Sequence, residues 1–163
     1  MSLSVRNATL DDLKEIMHLF SLARLFMKKQ GNPNQWINNY PSEELIKEQI
    51  ERRVCMVCCD VTGKILATFC FLPGPDPTYS HIEGAWLSDR PYYVIHRLAS
   101  DGSIHGIADF CISWCRNHAV SLRLDTHEDN KIMQHIAKKN GFVYCGIIYV
   151  ANGTPRLAYQ LDL

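Results

Sequence analysis

Val94-Ile95-His96-Arg97-Leu98-Ala99-Ser100, followed by Ser103-Ile104-His105-Gly106-Ile107-Ala108, decides how this chain is read. The first segment is apolar and β-branched at its start, which predicts a strand over Tyr92–Ser100. The second places glycine in a turn and opens an amphipathic helix through Ile107, Phe110, Cys111, Trp114 and Cys115. The N–H groups at a helix start have no intrahelical partner, and the helix dipole adds positive potential there. Glycine lets backbone come close to an anion. The turn Ser103–Ala108 is therefore a candidate pyrophosphate site, although taken alone the pattern describes any tight strand–helix turn.

On the C-terminal side, Val120–Asp125 reads as a strand, and Thr126 with Asp129 offers a capping-box-like start for a helix that stops at Gly141. Phe142–Val150 and Thr154–Asp162 are strands joined at Asn152-Gly153. On the N-terminal side, Ser4–Ala8 predicts a strand, and Thr9 with Asp11 and Asp12 begins a helix that runs to Lys29. Asn32-Pro33-Asn34-Gln35-Trp36 is a loop, and Ser42 caps a second helix carrying Leu45, Ile46 and Ile50. Val54–Asp60 and Lys64–Leu72 form a hairpin about Thr62-Gly63. Pro73-Gly74-Pro75-Asp76-Pro77 is a loop, and Ser80–Leu87 reads as one more strand. The order β-α-α-β-β-β-β-α-β-α-β-β belongs to a mixed α/β domain, one unit over residues 1–163.

The composition narrows the function. Seventeen Lys and Arg balance seventeen Asp and Glu, so no net field points to a polyanion, and a nucleic-acid partner is not expected. No signal peptide and no run of about 18 apolar residues is found, so the expected compartment is the cytoplasm, without a membrane. Seven cysteines without a secretion signal read as free thiols. Cys55, Cys58 and Cys59 lie in one strand, with Cys55 and Cys59 on one face and Cys58 on the other, so they read as small core residues and no metal is expected.

At Ser103-Ile104-His105-Gly106-Ile107-Ala108, and again at Asn130, Gly141 and Phe142, the chain resembles the GNAT (Gcn5-related N-acetyltransferase) superfamily. The family loop reads Gln/Arg-x-x-Gly-x-Gly/Ala, and Gly106 and Ala108 stand in register with it. Its later motif reads Asn-x-x-Ala-x-x-x-Tyr-x-x-x-Gly-Phe, and Asn130, Gly141 and Phe142 keep that spacing. The resemblance extends over nearly the whole chain. It implies a mixed, mostly antiparallel sheet of about seven strands with about four helices. It also implies a splayed strand pair, Tyr92–Ser100 and Val120–Asp125, that holds acetyl-CoA. Leu98, Ala99 and Ser100 would bond the pantetheine arm. Ser103, His105, Gly106, Ile107 and Ala108 would surround the pyrophosphate, and Asn130 and Met133 would face the arm. Three departures stand out. Ser103 replaces the family's Gln or Arg, Met133 its Ala, and Ala137 its Tyr, the frequent general acid toward the departing thiolate.

Under this resemblance a neutral amine attacks the thioester carbonyl, which calls for a base. Glu83 on a central strand and His96, on the same strand face as Leu98, are the candidates. Each reads equally as a structural residue: Glu83 as a solvated strand position, His96 as a half-buried packing residue. His127 could bind or cap, and His105 matters through its amide. Nothing places a base beside Cys111, Cys115 or Cys145, so a covalent thiol route is not expected. Trp36, Tyr40 and Trp86 suit a cationic amine, with core packing the plain alternative for both tryptophans. The acceptor, small molecule or peptide, is not legible, and the resemblance implies a homodimer. Two other classes remain: a non-catalytic acyl-CoA-binding module, and a nucleotide-binding domain, which the absence of Gly-x-Gly-x-x-Gly and of a P-loop opposes.

Overall fold

The computed structural model describes residues 2–163. Strand β1 (Ser4–Asn7) is followed by a 3-10 turn, Leu10–Asp12, closed by Thr9 and Asp12 as a capping box. Helix α1 (Leu13–Lys29) buries Ile16, Leu19, Phe20 and Ala23, the i, i+3, i+4, i+7 stripe of an amphipathic helix. Helix α2 (Glu43–Glu51) starts as expected at Ser42, whose hydroxyl accepts from Leu45 N at 3.1 Å. Then come β2 (Cys55–Cys59), β3 (Ile65–Pro73), β4 (Glu83–Gly84), β5 (Tyr93–Ser100), α3 (Ile107–Arg116), β6 (Ser121–Thr126), α4 (Lys131–Lys139), β7 (Val143–Tyr149) and β8 (Pro155–Asp162).

The eight strands form one sheet in the order β1-β2-β3-β5-β6-β8-β7-β4, and only β5 and β6 run parallel. Helices cover both faces. One core holds Ile16, Phe20, Ile46 and Ile50 against Cys55, Cys59 and Cys70. The other holds Ile107, Cys111, Ile112 and Ala137 against Cys58, Phe69, Leu122 and Leu124. The expected alternation of Cys55 and Cys59 against Cys58 is what divides them between the cores, and all seven cysteines are buried. Among the described residues, no helix is long and apolar enough to cross a membrane.

Two expectations need correction. The strand expected over Ser80–Leu87 shrinks to Glu83–Gly84. Beyond it the chain is held by other bonds: Trp86 Nε1 donates to Tyr79 O at 3.1 Å, and Leu87 N donates to the Gln160 side chain at 2.8 Å. Likewise, Thr126 and Asp129 do not start α4. Thr126 ends β6, and Asn130 is the cap, its Oδ1 accepting from Met133 N at 3.0 Å.

The outer edge of the sheet depends on a close backbone approach. Gly84 and Gly146 pair across β4 and β7 at φ +135° and +142°, and a Cβ on Gly146 would collide with the Glu83 carbonyl. We expect Gly146→Ala to cost about 1–3 kcal/mol, read as a lower urea midpoint. An unchanged midpoint would contradict this pairing.

Candidate active site

The site begins where two strands part. β5 and β6 pair only at Tyr93–Leu122 and Val94–Arg123, at the start of each strand. Past Val94 they separate. Farther along, β5 carries a bulge: Thr68 pairs with Ala99 but Cys70 with His96, so Phe69 faces both Arg97 and Leu98. Arg97 sits at φ +55°, a left-handed conformation that a non-glycine residue adopts at a cost of about 1–2 kcal/mol. Its side chain holds it there: Nη1 donates to Tyr40 Oη at 2.8 Å and Nη2 to Gln49 Oε1 at 3.1 Å. The splayed pair that the resemblance implies is thus present.

Two cavities meet at this opening. The larger, about 760 Å³, lies between the loop after α1 and the ends of β5, β6 and β8. Trp36 and Tyr40 line it, as do His96, Arg97, Asp76, Asp125 and Arg156. His96 Nε2 lies 3.2 Å from Asp76 Oδ2. Asp76 also accepts from Thr78 N at 2.8 Å, and the imidazole and that amide hold its carboxyl below the usual carboxylate range. Tyr79 Oη donates to Asp125 Oδ2 at 2.6 Å. Burial and that carboxylate push the Tyr79 phenol well up, so it remains a donor. Gln35 joins the two halves of the chain: its Oε1 accepts from Asn130 Nδ2 at 3.0 Å, Asn32 Nδ2 at 3.1 Å and Thr126 Oγ1 at 3.3 Å.

The second cavity is a groove of about 490 Å³ along β5, between α1 and the first turns of α3 and α4. Leu98, Ala99, Ser100, Ile107, Ala108, Asn130 and Met133 line it. Ser103, His105 and Gly106 line neither cavity; they lie in the turn between Gly102 and Ile107, which do line the groove, and Ser103 N and Oγ both donate to Asp101 Oδ1. Gly106 caps α3 at φ +84° with open space where a side chain would be. Lys29 and Lys131 line the same groove, as do Asp101 and Asp129. The groove and the larger cavity share Met27, Leu98, Asn130 and Met133.

Not every expected residue arrives. Glu83 is exposed on the edge strand, accepts from Tyr149 Oη at 2.8 Å and lines neither cavity. Trp86 lies away from both and stacks over the Arg123 guanidinium at 4.0 Å. His127 accepts from Asp129 N at 3.0 Å in a local turn, and it and His105 line neither cavity. Sequence reasoning missed Asp76, Asp125, Arg97, Arg156 and Gln35. Asp125 alone carried a signal, as the polar residue near the end of a strand beside the opening.

Ala137 is fully buried in the core beneath α4. Restoring the family tyrosine by Ala137→Tyr should therefore overpack that core and cost about 1–3 kcal/mol, measured by urea unfolding. Unchanged stability would show that the pocket has room for the ring. The lowered Asp76 carboxyl has a definite sign in acid. Its contribution to stability is present above the unfolded carboxylate pKa and is lost as pH falls through the lowered folded value. Asp76→Asn should thus destabilise the protein at pH 6 and matter less at pH 3, by urea midpoints across that range. Equal effects at both ends would contradict the interaction.

The chain matches no family model and no curated protein. Solved structures do match. An acetyltransferase of the GNAT family from Streptococcus agalactiae is 32% identical, with 99% of this chain and 95% of that one covered at a TM-score of 0.89. A GNAT-family acetyltransferase from Listeria monocytogenes is 20% identical at a TM-score of 0.76, covering 99% of this chain and 95% of that one. Ard1 from Thermoplasma volcanium is 18% identical at a TM-score of 0.66, covering 100% and 99%. The last two support the fold. The first, over essentially the full length of both chains, places this chain in the GNAT acetyltransferase family.

Proposed function

We propose that this acetyltransferase moves the acetyl group of acetyl-CoA to a primary amine by direct attack. One observation carries the reading: the groove along β5 and the polar cavity meet at Leu98 and Asn130, where β5 and β6 have parted. A thioester whose arm follows β5 would present its carbonyl at that junction. An amine in the larger cavity would approach it from the other side, and holding the two together supplies much of the rate.

The chain's residues then divide the work. The amide edge at Leu98 to Ser100 bonds the pantetheine arm. The α3 start at Gly106 to Ala108, with Lys29 and Lys131 beside the groove, holds the phosphates. His96 is the base. With its Nε2–H donated to Asp76, Nδ1 keeps the lone pair that takes the amine proton. The ionised Asp76 fixes that tautomer and stabilises the imidazolium. As the new C–N bond forms the C–S bond breaks, and the thiolate leaves toward water, because Ala137 offers no acid. Glu83 has no part in this scheme.

Ala137 favours one other reading, an acyl-CoA-binding module without turnover. Thiol release from acetyl-CoA across an amine panel separates the two. We expect release with at least one amine, and His96→Ala to lower kcat by about 10²–10⁴-fold while altering the pH profile. Acetyl-CoA binding without release for any amine would support the module instead. An unchanged rate and pH profile in His96→Ala would remove His96 as the base.

A further inference from the structure

The ionisable side chains lining the larger cavity are two carboxylates, Asp76 and Asp125, two guanidiniums, Arg97 and Arg156, and the imidazole of His96. The carboxylates are engaged by His96 and Tyr79. The guanidiniums are not paired in the same way. Arg156 is buried, and its donors reach only neutral oxygens: Thr154 Oγ1 at 3.1 Å, the Pro155 carbonyl at 2.8 Å and the Gln35 carbonyl at 3.3 Å. Arg97 donates to the Tyr40 hydroxyl and the Gln49 amide and lies against the Cys70 thiol, and its buried Nε has no hydrogen-bond partner. Among the described residues neither arginine forms an ion pair. Arg97 donates to the Tyr40 hydroxyl, and Arg156 lies within electrostatic reach of Asp125 first and Tyr40 second, without a direct bond to either. A buried cation without an anionic partner is costly, and a ligand anion would remove that cost.

Resting on the acetyl-transfer reading above, we infer that the acceptor is an amino-carboxylic acid, its amine directed to His96, Asp76 and Asp125 and its carboxylate to Arg156 and Arg97 beside Tyr40. The cavity is charge-balanced, as a zwitterion requires. A polyamine would bring further positive charge against two unpaired guanidiniums, and a simple alkylamine would leave them unpaired. Arg156 supplies the planar donor fork that carboxylates accept in two bonds. A volume of about 760 Å³ accommodates a free amino acid with a large side chain.

The test uses the full-length protein with matched acceptors: phenylalanine, phenylalaninamide and phenethylamine, and the same series for leucine. Thiol release gives kcat/KM for each, and calorimetric titration into CoA-saturated protein gives affinity independently of turnover. We expect the free acids to exceed their amides and decarboxylated analogues by about tenfold or more, the worth of one charge-assisted hydrogen bond. Arg156→Gln should collapse that ratio. Should the variant not fold, the wild-type ratio still decides. Amides or simple amines that equal or exceed the acids in kcat/KM overturn the inference. If acetyl-CoA binds and no amine releases thiol, the transfer reading fails. Calorimetry then decides this one: acids binding tighter than amides uphold it, while equal or absent binding overturns it.

Discussion

Everything that can serve as a site in this protein depends on the parting of β5 from β6. A parallel pair buried in a sheet normally zips along its length, because each unpaired backbone group costs free energy in the interior. Here pairing stops after two positions. Beyond that point β5 carries the bulge at Arg97 and Leu98, and α3 and α4 cap the gap. The strained Arg97 backbone is held by side-chain bonds to Tyr40 and Gln49, which come from the loop after α1 and from α2. The N-terminal helices thus brace β5 beside the opening.

The same bracing organises the charges. Gln35 sits in that loop and ties Asn130, the cap of α4, to the wall of the larger cavity. Arg156 donates to the Gln35 carbonyl from β8. One short segment, Gln35 to Tyr40, therefore contacts the α4 cap and both guanidiniums. Cysteines help fill the cores on either face of the sheet. Burial pushes the Cys59, Cys115 and Cys145 thiols up, which keeps them protonated and poor nucleophiles.

The fold was legible because its elements carry strong local signals. Ser42 caps α2, Asn152-Gly153 turns β7 into β8, and Gly106 opens α3 at a φ that suits glycine. The strand expected over Ser80–Leu87 failed because its pattern cannot reveal that Leu87 N would bond the distant Gln160 side chain. The groove residues on β5, α3 and α4 were legible through local motifs. The polar cavity was legible only through His96, Trp36 and Tyr40. Asp76 lies in a proline-rich loop that reads only as a loop, and Arg156 sits at the start of β8, just past the turn. Their meeting with His96 is set by sheet order, which brings β8 next to β6, and no local pattern encodes that. Glu83 was plausible as a base only while it stood on a central strand; in the structure it stands on the edge.

The central claim is that the opening between β5 and β6 is where acetyl-CoA lies. Amide hydrogen exchange with and without saturating acetyl-CoA tests it most directly. The account predicts added protection at Leu98 to Ser100, at the start of α3 near Gly106 to Ala108, and at the Asn130 cap, with β1 and β2 unchanged. Protection that falls elsewhere, or none at all when acetyl-CoA is bound, would contradict it.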